Sequence, residues 1–145
     1  MKLSTKGRYG LKAMIDLADF SEEAPQSIMC IAKRLSLSDS YLEQLMAKLR
    51  KAGLIKSIRG AQGGYILAKK SSDISVGDIL RALEGDLKPV DCMGLRGEEC
   101  KTGECCPSRM VWQRIDESIQ STIDSIYLNE LVEDNRRMRE ENAQA

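Results

Sequence analysis

Residues 27–68 read SIMCIAKRLSLSDSYLEQLMAKLRKAGLIKSIRGAQGGYILA. Ser27 is placed to cap a short helix carrying Ile28, Ile31, Ala32 and Leu35 on one side. Ser36-Leu37-Ser38 makes a tight connection into a second amphipathic helix with the stripe Leu42, Leu45, Met46 and Leu49. Either Ser38 caps that helix, or Ser40 does, with Glu43 completing a capping box. Gly53 is its stop. Two such helices joined by a short turn are the helix-turn-helix pattern. Residues 54–59 and 65–68 then read as short strands around Gly60-Ala61-Gln62-Gly63-Gly64, a tip that permits positive φ and close approach by a partner. A hairpin directly behind the second helix is a wing.

Outward from this centre, Thr5–Phe20 reads as a helix, with Leu11, Met14, Ile15 and Ala18 at helical spacing and Ala24-Pro25 breaking the pattern. Downstream, Ser75 with Asp78 opens a helix bearing Val76, Ile79, Leu80 and Leu83, which Gly85 closes. Residues 86–107 show no periodicity and hold four of the five Cys. From Ser108 the helical pattern returns: Val111, Ile115, Ile119, Ile123 and Ile126 form a long stripe with Trp112 beside it. Leu128, Leu131 and Val132 suggest a last short apolar turn, and the polar residues 133–145 are expected to fray. The fold class is mainly α with a small β-hairpin.

A chain of 145 residues that is 42% hydrophobic buries one ordinary core. With one Trp and one Phe, that core is built of Leu, Ile, Val, Ala and Met. No apolar run reaches the roughly 18 residues of a membrane span, and MKLSTKGRYG lacks a signal-like apolar region. The expectation is a cytoplasmic protein without a membrane partner. Net charge is zero, yet residues 1–70 hold 13 Lys/Arg against 6 Asp/Glu while residues 71–145 hold 9 against 16. A basic half of this kind suits a polyanion.

With its apolar stripe inward, the second helix of the motif exposes Ser40, Tyr41, Glu43, Gln44 and Lys48, and its N-terminal end is where such a helix meets base edges. Gln44 suits bidentate pairing with adenine, and Glu43 can accept from the cytosine amino group. Ser38, Ser40 and Tyr41 suit phosphate or base contacts. Lys48, Arg50 and Lys51 supply charge for the phosphate backbone, and Arg59 beside the Gly-rich tip suits a narrow minor groove. The expected partner is double-stranded DNA.

Cys92, Cys100, Cys105 and Cys106 follow C-x7-C-x4-C-C, without the C-x2-C knuckles of structural zinc. Thiolates grouped on a loop are the donors an iron–sulfur cluster needs. Redox-active thiols, zinc or incidental cysteines are the alternatives. The chain has no His, which removes His ligands and Cys–His or Ser–His catalytic pairs, so an enzyme is not expected. Cys30, on the short helix, is expected to play a buried apolar role.

The stretches LSTKGRYGLKAM (3–14), LSDSYLEQLMAKLRKAGLIKSIRGAQGGYIL (37–67) and SVGDILRALEG (75–85) resemble the IscR-type bacterial regulators. That family also includes regulators of cysteine metabolism and of the nitric-oxide response. The resemblance runs through Leu131-Val132. It implies a homodimer whose long C-terminal helices cross along the Val111–Ile126 stripe. It further implies that Ser40, Glu43 and Gln44 read the operator while Arg59 and the wing glycines Gly60, Gly63 and Gly64 engage the minor groove. Residues 1–85 then form a winged helix-turn-helix, 86–107 a cluster-binding loop, 108–132 the dimerisation helix and apolar turn, and 133–145 a tail.

Members of that family carrying a 2Fe–2S cluster use three Cys in this loop and a His three residues after the last. Aligning on Trp112 places Cys92, Cys100 and Cys106 on the Cys positions and Arg109 where the His is expected, a departure from the pattern. The fourth ligand is open between Cys105, a carboxylate such as Glu104, a residue of the partner subunit and a small thiol. The implied function is a cluster-responsive repressor of iron–sulfur biogenesis genes. The alternative is a thiol-redox or partner-controlled repressor of cysteine and sulfur metabolism without a cluster.

Overall fold

The computed structural model describes residues 2–90 and 106–145. In chain order the elements are α1 (Thr5–Phe20), α2 (Ile28–Leu35), α3 (Asp39–Lys51), β1 (Ile55–Ile58), β2 (Gly64–Leu67), a 3-10 turn (Ser71–Asp73), α4 (Val76–Glu84), α5 (Arg109–Ser125) and α6 (Leu128–Gln144). Serine hydroxyls open four of these helices, each satisfying an N–H that the helix itself leaves unpaired. Ser4 accepts from the Lys6 N–H, Ser27 from Cys30 and Ser38 from Tyr41, each at 3.2 Å. Ser38, not Ser40, is therefore the cap of α3. Ser75 and Asp78 form the expected reciprocal box at 3.0 and 3.1 Å.

The core gathers on α1, which touches α2, α3, α4, α6 and β2. Met14 and Leu17 of α1 are fully buried together with Ile31, Leu42, Met46, Leu49 and Ile79. The strands pair antiparallel in the register Ile55↔Leu67 through Ile58↔Gly64, the first one residue shorter at each end than expected and the second shifted by one residue towards the turn. Gln26 extends the ladder by exchanging backbone hydrogen bonds with Tyr65 at 3.0 and 2.8 Å. This docks the wing onto the segment entering α2.

Two expectations are corrected. Cys30 is exposed: α2 turns Ile31 and Ala32 into the core, and position 30 falls on the opposite side of so short a helix. Residues 133–145, expected as a frayed tail, are helical, because α6 continues to Gln144. Its ordering comes from Asp19, whose side chain is only 4% exposed. Asp19 accepts from Arg136 Nε at 2.7 Å and from the Arg139 guanidinium. The Arg34 and Arg139 guanidiniums both lie over the Phe20 ring, 4.2 and 5.1 Å from its centroid. The contacts of Asp19 and Phe20 with α6 span more than a hundred residues of chain, so the local polarity of the tail carries no sign of them. The short apolar turn expected at Leu128–Val132 is the start of this helix, and Leu128 and Val132 enter the common core.

α4 lies close on α1 because two α1 glycines face it. A Cβ at Gly10 would stand 2.1 Å from Leu83 Cδ1, and one at Gly7 2.6 Å from Glu84 Oε1. Glu84 Oε1 accepts from the Ser4 N–H (2.8 Å), the Ser4 hydroxyl (2.5 Å) and the Gly7 N–H (3.0 Å), so α4 supplies an anionic cap to α1. Burial alone would raise the Glu84 pKa. The hydrogen bonds from Ser4 and Gly7, with the charge of Lys6, outweigh it and hold the pKa below the ordinary value.

A carboxylate depressed in the folded state stabilises above its unfolded pKa and loses that contribution as pH falls through the folded value. Glu84→Gln is expected to lower the melting temperature at neutral pH. The gap to wild type should close in acid, once Glu84 itself is protonated. A gap that stays constant across the titration would contradict this role for the charge.

Candidate nucleic-acid interface

α3 is held from below by Leu42, Leu45, Met46 and Leu49, all buried. The opposite face is open: Ser38, Ser40, Glu43, Gln44, Lys48, Arg50 and Lys51 are exposed. The α3 C-terminus passes into the wing through Gly53, whose φ is +77°, and the Leu54 N–H returns to the Leu49 carbonyl at 3.1 Å. A closed backbone turn thus joins the end of α3 to the wing. Asp39 at the first turn and Lys48, Arg50 and Lys51 at the last complement the helix dipole.

Tyr41 differs from the other candidates. It is half-buried, its ring meets Tyr9 edge-on with centroids 6.2 Å apart, and its hydroxyl donates to Thr5 Oγ1 at 3.3 Å. It braces α3 against the start of α1. At the wing tip, Arg59 and Gly60 are exposed, and the Gly63 N–H closes the turn onto the Gly60 carbonyl at 3.0 Å. Gly60, with φ +120°, has open space where a Cβ would stand. Gly63 and Gly64 are required by packing: a Cβ there would stand 2.1 Å from the Ile58 carbonyl oxygen and 2.5 Å from the Gln26 backbone.

One flank of the face was not legible as such. Lys6 of α1 joins Lys48 and Lys51 along a groove of 640 Å³ beside the Glu84 cap. The basic Lys2, Lys6 and Arg8 near the N-terminus signalled charge there. Only the packing of α1 on α4 and α3 brings Lys6 alongside the C-terminal end of α3.

Of the four candidate ligands in the cysteine region, Cys92, Cys100 and Cys105, with Glu104, lie outside the described residues. Cys106 stands just before α5, half-buried, with its Sγ 3.4 Å from Ser108 Oγ. Ser108 also accepts from Trp112 Nε1 at 3.1 Å. Arg109, at the expected His position, begins α5 and donates its N–H to the Cys106 carbonyl at 3.3 Å. Position 109 is thus one tight turn from the Cys106 thiol. Among the described residues no group of three or more His, Cys, Asp or Glu is arranged to hold a metal.

α5 itself has no buried residue in 17, despite its Val and three Ile. The expected stripe divides. Ile119 and Ile123 lean towards Leu3 and Leu80. Met110 and Val111, 69% and 51% exposed, open with Ile115 and Ile119 onto a shallow groove of 480 Å³. Ile126 leaves the helix for extended backbone (φ −100°, ψ 122°). Among the described residues no helix is long and apolar enough to cross a membrane.

Comparison with known proteins places this architecture. The family model described as "Rrf2: Iron-dependent Transcriptional regulator" matches residues 3–134. The chain is 47% identical over 131 residues to the HTH-type transcriptional regulator CymR of Bacillus subtilis, covering 90% of this chain and 89% of that protein. It is 42% identical over 135 residues to the HTH-type transcriptional regulator IscR of Vibrio atlanticus, covering 93% and 77%. Among solved structures it is similar to CymR, the global cysteine regulator of B. subtilis, with a TM-score of 0.76 at 46% identity over 92% of this chain and 97% of that one. T. potens IscR follows with a TM-score of 0.73 at 49% identity, covering 93% and 88%. Helix-turn-helix, wing and C-terminal helices agree with these relatives, and the chain belongs to the Rrf2 family of transcriptional regulators.

Proposed function

We propose that the protein is a cytoplasmic transcriptional regulator that binds operator DNA as a homodimer and senses iron–sulfur supply through a 2Fe–2S cluster. The observation that carries the DNA reading is the open polar face of α3, set on a rigid apolar base within the basic half of the chain. In this reading Ser40, Glu43 and Gln44 meet base edges, Ser38, Lys48 and Arg50 meet phosphates, and Arg59 enters the minor groove with the turn Gly60, Gly63 and Gly64. Tyr41 braces the reader helix against α1 through Thr5 and Tyr9. The bare face of α5 supports the homodimer, since apolar helix surface is stabilised by a second copy of itself.

Operators recovered from random duplexes by repeated selection test the first part. Gln44→Ala is expected to weaken the selected site by about tenfold or more, with little change on unrelated DNA, because a bidentate base contact contributes roughly 1–3 kcal/mol of discrimination. Lys48→Ala is expected to weaken all duplexes alike and to reduce the salt slope by about 1. Recovery of no preferred sequence, or equal loss on all sequences for Gln44→Ala, would contradict base reading.

For the sensor, Cys92, Cys100 and Cys106 supply three thiolates and Cys105 the fourth ligand. Cys106 supports this reading by standing at the head of α5 beside the Ser108–Trp112 hydrogen bond. Ordering of residues 86–107 around a cluster would bias the two DNA-reading units only by favouring one arrangement of them over another. Anaerobic reconstitution is expected to give about two iron and two sulfide per chain. A Cys92→Ala variant should lose both. Full iron with an unchanged visible spectrum in that variant would contradict the assignment.

The similarity to the cysteine regulator CymR favours a second reading, a repressor of cysteine and sulfur metabolism controlled by thiol oxidation or a partner protein. It expects iron-free protein after the same reconstitution, with operator affinity that changes on oxidation or on adding the partner.

A further inference from the structure

α5 meets the rest of the described chain along a short seam near its C-terminal end. A backbone clasp fixes the point where it turns into α6. The Val76 N–H donates to the Ile126 carbonyl at 2.8 Å, the Leu128 N–H to the Ile74 carbonyl at 2.9 Å, and Ser75 and Tyr127 pair as an antiparallel bridge. A clasp of this kind sets a pivot and leaves the angle of the helix to other contacts.

Beside the apolar lean of Ile119 and Ile123 towards Leu3 and Leu80, Arg81 of α4 supplies the polar ones. Its Nη2 donates to both Asp124 oxygens at 2.7 and 2.8 Å and to Gln120 Oε1 at 2.6 Å. One turn before Arg81, Gly77 is buried and leaves a notch for the same carboxylate. A Cβ there would stand 2.0 Å from Asp124 Oδ1 and 2.9 Å from Arg81 Nη1. Asp124 and Gln120 lie one turn apart on α5, so one guanidinium grips the helix at two points above the pivot.

The lever is long. From Asp124 back to Met110 is about 20 Å of helix at 1.5 Å per residue, so a tilt of about 10° at the grip displaces the far end by about 3–4 Å. That displacement is the rise of about one base pair along a DNA strand. In the homodimer, any change in the angle of α5 is carried into the separation of the two reader helices.

We propose that Arg81, working against the Gly77 notch, is a specificity-determining positioning residue. It sets the angle of α5 and thereby the spacing of operator half-sites that the dimer accepts. This rests on the homodimeric reading above. An ordinary surface ion pair is the competing explanation: Arg81 and Asp124 are 38% and 48% exposed, and such pairs contribute little to stability. Stability is therefore the wrong readout, and spacing is the right one.

The test uses the full chain and its selected operator, with the segment between half-sites shortened or lengthened by one and two base pairs. Wild type is expected to prefer one spacing by about tenfold, the scale of a single lost base contact. Arg81→Met should flatten that preference while leaving the sedimentation mass and the far-ultraviolet spectrum unchanged, and Arg81→Lys should restore part of it. Gly77→Ala, whose methyl would displace the Asp124 carboxylate from the notch, should flatten the preference as Arg81→Met does. If Gly77→Ala does not fold, Asp124→Asn replaces it and should behave as Arg81→Met does. A wild-type spacing profile in Arg81→Met overturns the proposal. A wild-type protein that binds DNA as a single 16.2 kDa chain overturns the homodimeric reading and this inference together, and the mass distinguishes that failure.

Discussion

The short antiparallel tie between residues 74–76 and 126–128 is the constraint on which the rest depends. Two backbone hydrogen bonds fix where the chain comes back after α5. They also deliver Leu128 and Val132 into the same apolar cluster as Met14 and Leu17 of α1. Burying one leucine contributes about 1.5–3 kcal/mol, so the return of the chain is part of the core and no appendage to it. Ser75, the N-cap of α4, sits in the middle of this tie, and its capping box with Asp78 starts the helix that carries Gly77, Arg81 and Glu84.

From that junction α4 works in two directions. Glu84 reaches the first turn of α1, which braces α3 through the Thr5–Tyr41 hydrogen bond and the Tyr9–Tyr41 ring contact. Arg81 reaches α5, whose open face in the proposed dimer meets a second copy. One helix of nine residues therefore touches both α1, which braces α3, and α5, which carries the seam of the proposed dimer. In sequence, Cys92, Cys100, Cys105 and Cys106 fall between α4 and α5.

The sequence carried the local rules faithfully. The span of α1, the turn at 36–38, the stripe Leu42, Leu45, Met46, Leu49 and the Ser75–Asp78 box all stand in the structure, because helical periodicity and capping are properties of neighbours in the chain. Contacts between distant residues were less legible. The 133–145 segment is polar and offers no apolar face, yet Asp19 captures Arg136 and Arg139 and orders it. The stripe along α5 looked continuous, but the Arg81 grip and the clasp at Ile126 turn its later half towards α4 and leave Met110 and Val111 bare. Cys30 was a different kind of miss, since the stripe already drawn through Ile28, Ile31, Ala32 and Leu35 excludes it from the buried side. Residue identity alone nominated Glu43 and Gln44 on α3 and Arg59 in the wing, and the structure leaves all three exposed. Bracing by Tyr41 and the approach of Lys6 needed the packing of α1 against α3.

What unites these features in the proposed function is a division of labour between the α3 face that would read DNA and the open face of α5 that a second copy would cover. Sedimentation equilibrium on the full chain tests this most directly, comparing wild type with Val111→Glu in the presence and absence of the selected duplex. A wild-type mass near twice 16.2 kDa is expected, falling to a single chain in the variant while its helical content is kept. A wild-type protein that remains at 16.2 kDa and still binds the selected duplex would contradict it.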